Sequence, residues 1–110
     1  MGDMKPNPLD GAVLGRVARP RDAILAEAGQ LISGDREATY GSARSDFART
    51  GKMWAAILGL PQDIPPEKVA MCMAALKIGR LCHSPGHADS WVDACGYLAL
   101  GGDIASGGPA

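Results

Sequence analysis

Val69-Ala70-Met71-Cys72-Met73-Ala74-Ala75-Leu76-Lys77-Ile78-Gly79-Arg80-Leu81 is the stretch on which the fold turns. Apolar residues run unbroken from Val69 to Leu76, and Ile78 and Leu81 carry the run on around two cations. No alternation with period two is present, so the segment reads as helix rather than strand. Pro65-Pro66-Glu67 supplies a first turn in which a missing N–H costs nothing, and the helix is predicted to reach about His83. A helix that is apolar on every side is normally enclosed by others. Its cations then need a partner or a bound anion. At about 100° per residue, Arg80 falls on the face of Val69, between Met73 and Leu76, with Lys77 about 60° to one side.

Three more helices are predicted around it. One spans about Arg21 to Ile32, with Asp22 as N-cap, Gly34 as the stop, and an apolar stripe of Ile24, Leu25, Ala28, Leu31 and Ile32. The next spans Ala43 to Leu58, capped by Ser42 and closed by Gly59 and Pro61, with a stripe of Phe47, Gly51, Trp54 and Leu58. The last starts near Ala88, after the loop Ser84-Pro85-Gly86, and runs to about Leu100. Residues 1–20 carry Pro6, Pro8, Gly11, Gly15 and Pro20 and read as a flexible N-terminal arm. From Gly101 onward five of ten residues are Gly or Pro, and this tail is expected to fray. The expected architecture is therefore a single all-α domain over residues 21–105, like a four-helix bundle, with a flexible arm before it and a flexible tail at 106–110.

Bulk composition narrows the function classes. The chain has 110 residues, the size of one domain, and 46% of them are hydrophobic against 21% charged, the balance of a globular protein. The net charge of -1 shows no basic excess, which argues against a duplex nucleic-acid surface and against an anionic membrane. Lys77 and Arg80 interrupt the longest apolar run, which is too short to span a bilayer. Cys72, Cys82 and Cys95 match no zinc-finger spacing and read as reduced thiols in a cytoplasmic protein; Met1 to Pro8 contain no apolar leader core. His83 and His87 read as residues flanking a Pro-Gly turn rather than as metal ligands.

Two constellations carry candidate chemistry. Asp89 and Asp93 are four apart and share one helix face with Gly96, Tyr97 and Leu100, while Trp91 and Leu98 point the other way. In one reading Asp89 caps its helix and Asp93 pairs with Arg80 or Lys77. In the other the carboxylates hold Mg²⁺ while Lys77 and Arg80 contact phosphate oxygens. The second constellation is Gly34-Asp35-Arg36-Glu37-Ala38-Thr39-Tyr40-Gly41, placed before a helix N-terminus. It is either a plain connection with Tyr40 packed on the core, or an anion-receiving start in which Arg36 meets phosphate and Tyr40 stacks on a base. Asp46, one turn into the next helix, is a further metal candidate or simply complements the helix dipole.

In order along the chain, Gly34 to Gly41, Asp46-Phe47, Trp54, Lys77-Ile78-Gly79-Arg80-Leu81 and Asp89 to Tyr97 resemble an uncharacterised small helical domain family of bacteriophages and prophages, over roughly residues 22–104. More distantly, Asp89-Ser90-Trp91-Val92-Asp93-Ala94-Cys95-Gly96-Tyr97-Leu98-Ala99-Leu100 is similar to the late-helix motif of MazG-like all-α nucleotide pyrophosphohydrolases. That likeness implies Mg²⁺ held by Asp89 and Asp93, which carry over as catalytic positions, with Asp46 as a third metal ligand. Substrate would meet Arg36, Tyr40, Lys77 and Arg80. The sequence has no Glu-Glu-x-x-Glu motif of the kind those enzymes carry on an earlier helix. The expected function is Mg²⁺-dependent hydrolysis of a nucleoside triphosphate; the alternatives are a nucleotide-binding protein without catalysis and a phage host-interaction protein. Short helices leave apolar faces uncovered, so a homodimer is expected, with Trp54, Trp91 and Met71 to Met73 at its surface.

Overall fold

The computed structural model describes residues 19–33 and 42–108. These form four helices and no strand: α1 (Pro20–Leu31), α2 (Ala43–Leu58), α3 (Pro66–His83) and α4 (Ala88–Ala105). The all-α reading holds. Arg36, Tyr40 and the rest of 34–41, together with residues 1–18 and 109–110, lie outside the described residues.

Local chemistry sets each end. Pro20 takes the first helical position of α1, so Arg19 and not Asp22 is its N-cap. Asp22 instead sits three residues in, where its carboxylate accepts the Arg19 N–H at 3.4 Å. In α2 the Ser42 hydroxyl accepts the Ser45 N–H at 3.1 Å, and Gly59 closes the helix at φ 70, a left-handed conformation that suits glycine. Pro65 caps α3 and Pro66 opens it.

The chain does not fray at Gly101. α4 continues to Ala105, and Gly101 and Ile104 are buried. A Cβ at Gly101 would stand 2.9 Å from the Ala70 Cβ, so the missing side chain is what lets α3 and α4 approach. At the end of α4, the Arg44 guanidinium of α2 donates to the Ile104 carbonyl at 3.2 Å and the Gly108 carbonyl at 2.7 Å. A cation there complements the negative end of the helix dipole and satisfies carbonyls that the helix leaves open.

α3 and α4 are the central pair, turned back on each other at Ser84–His87. α2 lies on α3 and α1 on α4. Gly51 is buried where α2 meets the incoming chain: Ile64 donates its N–H to the Gly51 carbonyl at 3.4 Å, and a Cβ on Gly51 would overlap the Ile64 carbonyl. The core gathers Ala43, Phe47, Val69, Ala70, Leu100 and Ile104, with Trp54, Met73 and Tyr97 packed against it.

Two expectations about faces are corrected. α3 is not enclosed: Val69, Ala70, Ala74 and Leu81 are buried on one side, while Met71, Cys72, Leu76 and Ile78 are exposed on the other. In α1 the buried positions are Ala23 and Ala28, and Leu25 and Leu31 are exposed. The reason is the same in both. The described neighbours cover only one side of each helix, and the apolar residues on the other side stay exposed.

Candidate functional site

Lys77 and Asp93 meet across the α3–α4 pair, with Nζ 3.3 Å from Oδ2. The lysine side chain keeps 14% of its surface exposed and the aspartate 34%. Lys77 therefore takes the inward position, and Arg80, placed by sequence on the face of Val69, is exposed. The two differ in what they meet: Lys77 faces Asp93 of α4, and the close approach of α2 to α3 is at Val69. Val69 lies beneath α2, with its Cγ2 3.2 Å from the position of a Gly51 Cβ, whereas Arg80 comes three turns later.

Asp93 also lines a pocket of about 130 Å³ between the end of α1 and the face of α4. Leu31 and Ile32 form one wall, and Val92, Gly96, Tyr97 and Leu100 form the other. Gly96 keeps the pocket open at the contact, since a Cβ there would stand 3.3 Å from the Ile32 Cγ2. The Tyr97 ring also meets Phe47 of α2, with centroids 6.3 Å apart. The contact of α1 with α4 thus brings together one member of a half-buried ion pair, an aromatic ring and an apolar wall. Such a combination can take a small anionic group at the ammonium and an apolar or planar group beside it.

The other predicted residues are dispersed. Asp89 is exposed in the first turn of α4, whose N-cap is His87 rather than Asp89. Asp46 lies on α2 and takes a bond from Arg49 at 3.2 Å. Arg80 lines a second, open pocket of about 320 Å³ with His83, Ser84 and His87. Among the described residues no three His, Cys, Asp or Glu side chains gather into a set that could hold a metal ion. Asp89 and Asp93 offer at most two carboxylates on one helix.

Two contacts escaped sequence reasoning. His87 is more than a turn residue: its Nδ1 lies 2.7 Å from the hydroxyl of Ser90, which is buried. The signal was present as a serine three positions after a helix cap. His83 is the last residue of α3. Trp91 donates its indole N–H to the Pro85 carbonyl at 2.8 Å, which ties α4 back to the turn. All three cysteines are free, and Cys72 and Cys82 are exposed.

A family model described as a domain of unknown function, DUF6378, matches residues 23–105. The chain belongs to this family. The DUF6378 match covers all four helices apart from the first turn of α1, so family and fold coincide. Two curated relatives, each called Gene 55 protein, come from mycobacteriophages. The phage L5 protein is 37% identical over 79 residues, covering 71% of this chain and 49% of that protein. The phage D29 protein is 34% identical over 76 residues, covering 69% and 49%. The chain spans about half the length of these relatives. The phage association that the ordered motifs suggested is thus found. No solved structure is detectably similar to the chain, and no described helix is long and apolar enough to cross a membrane.

Proposed function

We propose that this DUF6378 protein binds a nucleotide through its phosphates, using Lys77 as the anion contact, and that the described residues bind without cleaving. The observation that carries the reading is a lysine only 14% exposed, paired with Asp93, which itself lines a pocket. A largely enclosed ammonium is costly unless it has an anionic partner, and a carboxylate keeps it charged and positioned until a phosphate joins or replaces it. The pocket volume of about 130 Å³ admits a phosphoryl group or the edge of a ring, not a whole nucleotide.

The MazG-like motif supports a second reading: Mg²⁺-dependent hydrolysis of a nucleoside triphosphate, with Asp89 and Asp93 as metal-holding catalytic acids and Asp46 as a third ligand. A metal would polarise the phosphoryl group and activate water. The described donor set does not fit that role, because Asp46 is engaged by Arg49 and no acidic cluster forms. Binding is accordingly the first reading.

Thermal unfolding against a panel of nucleoside mono-, di- and triphosphates, each with and without Mg²⁺, tests both. Ligand at a hundred times its dissociation constant adds about 2.7 kcal/mol of stability, a plainly measurable rise in Tm. A shift without metal supports binding. A shift that requires Mg²⁺ and a triphosphate, with pyrophosphate released, supports hydrolysis. No shift with any nucleotide rejects both and leaves an interaction protein.

A further inference from the structure

Large and small apolar residues are distributed against expectation. Seven of the thirteen buried apolar residues are alanines. Met71, Leu76, Ile78 and Leu98 meanwhile keep about half of their surface exposed, and Trp91 keeps 40%. A domain that places its small side chains inside and its large ones outside leaves much of its hydrophobic driving force unused.

The exposed residues are ordered. On α3, Met71, Ala75, Ile78 and Cys82 are exposed at spacings of four, three and four. On α4, Trp91, Cys95, Leu98, Gly102 and Ala105 follow at four, three, four and three, with Cys95 half-buried and the rest exposed. Alternating steps of three and four keep a stripe on one side of a helix and form the seam by which helices pack in bundles. Neither seam contains a charged residue.

Both seams lie on the same side of the α3–α4 pair. α2 approaches α3 at Val69 and α1 approaches α4 at Gly96. Projected down the antiparallel pair at about 100° per residue, those two positions share one side and the seams fall on the opposite side. Among the described residues, the central pair is therefore covered above by α1 and α2 and bare below.

We infer that this bare face is a homodimer interface, in which the α3–α4 pair of one chain packs on that of a second copy as a two-fold four-helix arrangement. Two seams roughly 20 Å long and 10 Å wide make a self-contact that buries on the order of 1,000 Å² in total, the threshold for a specific interface. Each copy contributes about 500 Å², the size of the largest apolar patch on a monomer surface, which often serves a function. Absence of charge gives no basis for selecting an acidic or basic partner. A two-fold contact needs only a face complementary to itself. Of the residues expected from sequence at such a surface, Met71 and Trp91 belong to it, whereas Trp54 and Met73 pack against the core. The pocket lined by Asp93 is walled by Leu31 and Ile32 of the α1 end, and none of its lining residues belongs to either seam.

Sedimentation equilibrium of the whole chain, from low to high micromolar concentration, tests this. The unsubstituted chain is expected at twice the mass of one chain, with a Tm that rises with concentration. Ile78→Glu and Leu98→Glu should sediment as monomers of lower Tm, while Leu25→Glu, on the exposed side of α1, should remain dimeric. A monomeric unsubstituted chain, or a Tm independent of concentration, overturns the inference without requiring any variant to fold. Helical Ile78→Glu and Leu98→Glu chains that still dimerise overturn it as well.

Discussion

Lys77 is held more deeply than the Asp93 it pairs with, at 14% against 34% side-chain exposure across a 3.3 Å contact. The unequal burial makes the two halves of the pair unequal in energy. Removing Asp93 strands an ammonium in a largely enclosed position, whereas removing Lys77 leaves a carboxylate that water can reach.

Asp93→Ala should therefore destabilise the protein by about 1–3 kcal/mol, the cost of an unsatisfied enclosed polar group. Lys77→Met should cost less than about 1 kcal/mol, because the solvated carboxylate loses little. The double variant Lys77→Met with Asp93→Leu should lie close to the parent, since such pairs can be exchanged for apolar residues. Urea unfolding of the three variants measures this. Equal losses from the two single variants would refute the asymmetry.

Gly51 and Gly29 should respond oppositely to alanine. A Cβ at Gly51 overlaps the Ile64 carbonyl, and neither backbone can easily retreat. Gly51→Ala should cost about 2 kcal/mol or more, in the range of overpacked sites. Gly29 has nothing within 4 Å of its would-be Cβ, so Gly29→Ala should raise stability by about 0.5 kcal/mol through helix propensity. Calorimetric Tm values check both signs.

Gly96→Leu should close the pocket while leaving the fold in place. Even a Cβ at this position comes within 3.3 Å of Ile32 Cγ2, and a longer side chain fills the space between α1 and α4. The expected outcome is helical circular dichroism near that of the parent with nucleotide-induced stabilisation abolished. Unchanged stabilisation by nucleotide would move the ligand away from this pocket.

Much of the fold was legible because its signals are local. Ser42, Gly59 and Pro61 marked the ends of α2, and Pro65-Pro66 marked the start of α3. Where a residue has two local meanings the reading slipped. Asp22 suits an N-cap, but Pro20 claims the first helical position and moves the cap to Arg19. Gly101 looks like a breaker, but it serves the close approach of α4 to Ala70. The apolar run of α3 suggested enclosure because composition cannot separate a face covered by the same chain from a face left bare. Within the candidate site, an ion pair between Asp93 and a cation of α3 was readable from helical spacing. The choice of Lys77 over Arg80 was not, because it depends on which side of α3 packs on α4. Nor could spacing reveal Arg44 at the end of α4, since its partners Ile104 and Gly108 lie 60 and 64 residues away.

The central claim is that Lys77 contacts nucleotide phosphate at the pocket beside Asp93. Titration calorimetry of the parent and of Lys77→Met, each with a nucleoside triphosphate in EDTA, tests it most directly. Saturable binding by the parent and a loss of at least about tenfold in affinity in Lys77→Met, equivalent to about 1.4 kcal/mol, is the result predicted. Equal affinity in both proteins, or no heat from the parent with any nucleotide, would contradict it.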